Sequence, residues 1–145
     1  MDYDQYEAEV KEIEKANREH VSTFKKWLKS KNLSDKTIRS HANNVDLYLN
    51  YYLTYYEPQK VKAGCYSICG YLGGFFIRKA AWSSCPQIKS SAASIKKFYA
   101  CMMEHGVVEK DDYAYLCKDI KENMDEWLDN MRRYDEALDD EDMEV

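Results

Sequence analysis

Apolar residues recur every three or four positions through most of this chain, the spacing of helices with one face turned inward. Over residues 33–57, Ile38, Ala42, Val45, Leu49, Tyr52 and Tyr56 fall on one narrow stripe. Lys36, Arg39, Ser40, Asn43 and Asn50 fall opposite. Ser34 or Asp35 can accept the free N–H groups of the first turn, so either is a candidate N-cap. Upstream, Tyr3, Tyr6, Val10, Ile13, Val21, Phe24 and Leu28 predict one long helix over 2–31. Asn32 is placed to end it as a left-handed cap residue.

Glu57-Pro58 predicts a break, because the residue before proline is pushed out of the helical region. Residues 61–82 read as helical, but Gly64, Gly70, Gly73 and Gly74 predict a kink, a tight helix–helix crossing or a split into two pieces. Close packing around small residues is the expectation for Gly73-Gly74. After a turn at Ser83-Ser84-Cys85-Pro86, residues 87–105 predict a fourth helix with Ile88, Ala92, Ile95, Tyr99 and Met102 inward. Ser90, Ala93, Ser94 and Lys97 lie on its opposite, small-residue side, which suits close approach to a phosphate backbone. Gly106 is placed to end it. A strongly amphipathic fifth helix is predicted over 109–138, followed by a charged, disordered tail at 139–145.

The expected architecture is therefore all-α, a small bundle of four to five helices with a long first helix and an acidic last one. Five glycines and two prolines in 145 residues agree with that. An apolar fraction of 45% of the chain, with aromatic residues making up 14% of the chain, argues against disorder in the middle. No apolar run approaches the roughly 18–20 residues that span a bilayer, and no signal-peptide pattern opens the chain. Five scattered cysteines read as reduced thiols, so a soluble, cytoplasmic protein is expected. Cys65 and Cys69, four apart, have metal-ligand spacing, but no second close pair accompanies them, and neither a metal nor a cofactor is expected.

Charge changes the picture more than composition does. The net charge is −5, yet residues 1–17 carry −4, residues 18–100 carry +10 and residues 101–145 carry −11. A basic centre between acidic ends points to a polyanionic partner.

The run LSDKTIRSHANNVDLYL, then IRKAAW, then SSAASIKKFYACMMEHGVVEKDD resembles the N-terminal core-binding, SAM-like domain of tyrosine recombinases of the phage-integrase type. The residues carrying the likeness are Leu33-Ser34, Lys36-Thr37-Ile38, Ser94-Ile95-Lys96-Lys97-Phe98-Tyr99 and Gly106-Val107-Val108. It covers roughly residues 20–112. The resemblance implies an organisation of 1–17 as an acidic helical extension, 18–108 as the core-binding domain and 109–138 as an acidic amphipathic helix. It implies that the second and fourth helices cross in the major groove. Lys36, Thr37, Arg39, Ser40, Asn43 and Asn44 would then meet DNA from the second helix, and Lys89, Ser90, Ser91, Ser94 and Lys97 from the fourth. Lys25, Lys29 and Lys31 would add phosphate contacts.

A tyrosine recombinase also needs a Tyr nucleophile among Arg, His and Lys on a following domain. After Gly106 the arginines are Arg132 and Arg133, adjacent in an acidic helix, and no histidine follows His105. Tyr51, Tyr52, Tyr55 and Tyr56 are expected to be packing and interface aromatics. The expected function is non-catalytic binding of double-stranded DNA, as an accessory or regulator of DNA integration or recombination, alongside a full-length recombinase. The alternative is a helical interaction module of the same fold that binds a partner protein or forms a homodimer and touches no DNA. The acidic last helix is expected to fold back over the basic face and weaken DNA binding.

Overall fold

The computed structural model describes residues 2–143, and among them every regular element is helical. Asp2 accepts the Gln5 N–H at 2.8 Å while Gln5 accepts the Asp2 N–H at 3.3 Å. This reciprocal cap starts α1, Tyr3–Ser30. The helix runs without interruption through residue 17, where Asn17 is buried and donates to Asn50 Oδ1 at 2.7 Å. Its acidic first half is fastened to the bundle: Ile13 is buried and the Tyr6 hydroxyl donates to the Thr54 carbonyl at 2.5 Å.

Asn32 adopts φ 66°, as the sequence predicts. The Leu33 N–H reaches the Leu28 carbonyl at 3.4 Å and the Asn32 N–H reaches that of Lys29 at 3.0 Å. This pair of bonds closes the helix on its own last carbonyls. Ser34, rather than Asp35, then caps α2, Asp35–Asp46, by accepting the Thr37 N–H at 3.2 Å. Beyond Asp46 the helix widens into a π segment, Leu47–Tyr52, with Leu53 N–H bonded to the Tyr48 carbonyl five residues back. The extra residue per turn rotates the stripe. Tyr48 and Leu53 join Leu49 in the core, and Tyr56, expected inward, is left 68% exposed.

Residues 61–79 split, as their glycines suggest, but into four pieces where at most two were expected. They form a 3₁₀ turn Val61–Cys65, then α3 Ile68–Gly70, a π segment Tyr71–Phe75 and α4 Phe76–Lys79. Helix α5, Cys85–Glu104, starts two residues earlier than predicted because Ser84 caps it and Pro86 fits its first turn. It closes like α1, with Val107 N–H to the Met102 carbonyl at 2.9 Å and Gly106 at φ 75°. Helix α6, Lys110–Met143, continues past Leu138. The segment expected to be a disordered tail is thus helical over 139–143, while residues 144–145 lie outside those described.

One hydrophobic core extends from Phe24 on α1 to Met131 on α6. Helix α2 packs against α1 and α5, and α6 packs against α5 and the 61–79 pieces. Since α6 contributes Leu116, Trp127, Leu128 and Met131, segments 18–108 and 109–138 share that core. Two glycines decide how closely these parts approach. A Cβ on Gly73 would sit 2.9 Å from Trp127 Cδ1, and one on Gly64 1.8 Å from the Tyr99 hydroxyl. Among the described residues no helix is long and apolar enough to cross a membrane.

Candidate nucleic-acid interface

At 100° per residue, His41 and Asn44 project to one side of α2, and Ser90 and Ser94 to one side of α5. These sides face each other. Asn44 Nδ2 donates to Ser94 Oγ at 3.0 Å and to Ser90 Oγ at 3.3 Å. His41 Nδ1 and Ser94 Oγ share a hydrogen bond at 2.7 Å. The pairing of 44 with 90 and 41 with 94 makes the two helices antiparallel. Ser94 also donates to the Ser90 carbonyl at 3.1 Å, and its single proton then leaves His41 Nδ1 as the donor to Ser94.

This seam corrects part of the expected DNA face. Ser94 is fully buried and Ser91 nearly so, and neither is open to a phosphate. Small side chains do permit close approach there, but the approaching group is α2. Asn44 and Ser90 are half-buried at the seam's edge. Lys36, Thr37, Arg39, Ser40, Asn43, Lys89 and Lys97 are exposed. Thr37 is partly engaged, its hydroxyl accepting from Ser34 at 2.9 Å.

At the junction of α1 and α2, exposed Lys29 is held by Asp35 at 2.9 Å, and Lys31 lies 4.8 Å over the Trp27 ring. Trp27 in turn donates to Glu104 at 2.6 Å, tying the end of α1 to the end of α5. Among the described residues the ion pairs are Lys29–Asp35, Lys62–Asp112 and Arg132–Asp129. Within that set Lys25, Lys31, Lys36, Arg39, Lys89, Lys96 and Lys97 therefore have no carboxylate partner. All seven are exposed, on three helices that pack on one another. Between Glu57 and Glu104 the chain contains no Asp or Glu and seven Lys or Arg.

Half-buried His41 is a feature the residue pattern did not single out. Burial pushes its pKa below the ordinary value, and the neighbouring Lys97 ammonium pushes it further down. The imidazole therefore stays neutral near pH 7 and serves the seam. Identifying it required knowing which side of α2 meets α5, which a helical wheel for α2 alone does not contain.

The other candidates resolve into packing. Cys65 is buried, and desolvation with nearby Asp112 raises its thiol to about 12, against a smaller opposing effect of Lys62. Among the described residues no group of three or more His, Cys, Asp or Glu is placed to hold a metal ion. Arg132 is paired to Asp129, and Arg133 donates to Asn130 at 2.6 Å, both on α6's own surface. Tyr52 stacks against Tyr48 and is half-buried, whereas Tyr51, Tyr55 and Tyr56 are exposed. Helix α6 has its main packing partners in α5 and the 61–79 segment, and α1 and α2 are not among them. No protein-family model matches this chain, and neither a curated protein nor a solved structure does.

Proposed function

We propose that this protein binds double-stranded DNA without cutting it, through a SAM-like core-binding arrangement of the tyrosine-recombinase type. The observation carrying this reading is the set of exposed cations without carboxylate partners on α1, α2 and α5. Seven exposed ammonium and guanidinium groups without carboxylate partners repel one another, and a phosphate backbone relieves that repulsion while releasing condensed counterions. Lys36 and Arg39 from α2 and Lys97 from α5 would position the duplex, with Ser40 and Asn43 turned toward base edges. With Ser91 and Ser94 withdrawn into the bundle, α2 carries the groove contacts. The protein would act at a recombination or integration site beside a full-length recombinase.

Fluorescence anisotropy of a mixed-sequence duplex, titrated at several salt concentrations, tests this. Affinity should fall steeply with salt, and Lys36→Glu/Arg39→Glu should flatten the log–log slope by about two. Absence of binding at low salt would sink the reading.

A second reading, an interaction module that touches no DNA, rests on a different observation. Tyr66 and Tyr115 are 48% and 46% exposed and pair with ring centroids 4.7 Å apart. A stable dimer without salt-sensitive DNA affinity would favour it.

A further inference from the structure

The side of α2 that carries Lys36, Ser40 and Asn43 continues, one turn on, to Leu47 and then to Tyr51. There the polar face becomes aromatic. Leu47 edges a slot whose walls are Tyr51, 46% exposed, and Trp82, 57% exposed. Phe75, Phe76 and Tyr71 form its buried floor and Lys79 stands at its rim. The slot is shallow, about 20 Å³. A flat ring would stack on the exposed walls instead of sinking between them.

Two observations indicate what sort of ring this is. Lys79 lies 5.6 Å over the Tyr55 ring, and neither it nor exposed Arg78 has an ion-pair partner within the described residues. All the slot residues after Tyr51 come from the stretch that has no Asp or Glu. Stacking faces with cations beside them and carboxylates absent from the local sequence make a platform for unpaired nucleobases.

We infer that the Tyr51–Trp82 slot takes an unpaired base of the DNA, so that the protein prefers a duplex joined to a single strand over a blunt duplex. The inference rests on the DNA-binding reading above: the α2–α5 surface holds the duplex and the slot holds the first unpaired base beyond it.

The test compares a blunt duplex with the same duplex carrying a short single-stranded overhang that contains 2-aminopurine. The tailed duplex should bind roughly tenfold tighter, the scale of one base stacked on an aromatic side chain. The 2-aminopurine emission should quench on binding of the unmodified protein, a readout that needs no variant. Tyr51→Ala/Trp82→Ala, at two exposed positions, should abolish the preference and the quenching while leaving blunt-duplex affinity unchanged. Equal affinity for the two DNAs, or quenching that survives in the variant, overturns the slot and leaves the duplex reading standing. Binding to neither overturns both. A dimer in sedimentation that Tyr51→Ala/Trp82→Ala dissociates assigns the slot to a second copy and overturns the inference.

Discussion

His41 stands where the α2–α5 seam meets the basic rim, so its proton is sensitive to both. Burial and then Lys97 depress its pKa in the folded chain below the ordinary value of 6.5. The unfolded chain therefore binds the proton more tightly. Its contribution to stability is complete above about pH 6.5 and is lost as pH falls from there toward the folded value. His20 adds in the same sense, since desolvation lowers its pKa against an opposing effect of Glu19. NMR titration should place His41 below 6.5 and show Lys97→Ala moving it upward. A phosphate engaging Lys97 should raise it too, making the ring a reporter of DNA contact. Which residues line the α2 polar face was legible in the sequence, because Lys36, Arg39, Ser40 and Asn43 follow from periodicity alone. That Ser94 is sealed against α2 was not. A serine beside a lysine reads the same whether the neighbouring surface is water or another helix.

At the scale of elements, the caps and the breaks carry the fold. Asn32 and Gly106 end α1 and α5 in the same way, and both were readable because few residue types occupy positive φ. The two π segments were not readable. Their signature is a one-residue slip in an apolar stripe that is already dense with aromatics, and it exchanged Tyr56 for Tyr48 and Leu53 as core residues. The 3₁₀ turn at 61–65 fits beneath α5 because Gly64 has no side chain. Tyr99 donates to the Val61 carbonyl and Tyr48 to that of Gly64, both at 2.6 Å. Gly64→Ala should cost roughly 1–3 kcal/mol in urea unfolding, the range for overpacking a filled core. The start of α6 is pinned by Asp112, which accepts the Tyr66 hydroxyl and the Glu109 N–H at 2.9 Å, with Lys62 3.9 Å away. Those partners, the Tyr66 hydrogen bond foremost, hold the Asp112 pKa below 3.8. Its contribution is present above pH 3.8 and is lost as pH falls through the folded value. Tyr66→Phe should raise the Asp112 pKa toward 3.8, measured by carboxyl NMR, and move the acid-unfolding midpoint up.

For the molecule as a whole, charge and core divide α6 in two. Its first part cannot be removed without opening the core, since Trp127→Ala alone should cost about 3–5 kcal/mol by thermal or urea unfolding. Beyond Tyr134 the described side chains are exposed, and residues 135–145 carry seven carboxylates and no cation. Deleting 135–145 should leave the unfolding transition in place. In the DNA titration it should tighten binding at low salt, with the gain fading near 0.1 M, where charges are screened beyond about 10 Å. The sequence displayed the basic centre and acidic ends clearly. It could not show that α6 lies against α5 and the 61–79 segment, because an amphipathic stripe does not name its partner.

The three tryptophans occupy three different settings: Trp27 bonded to Glu104, Trp127 sealed beneath Gly73, and Trp82 standing in the turn before α5. They form a set of optical probes already in place. Iodide in solution should extinguish the Trp82 emission and leave that of Trp127 bright, so shielding of the α5 entrance and loosening of the core can be followed separately on unlabelled protein.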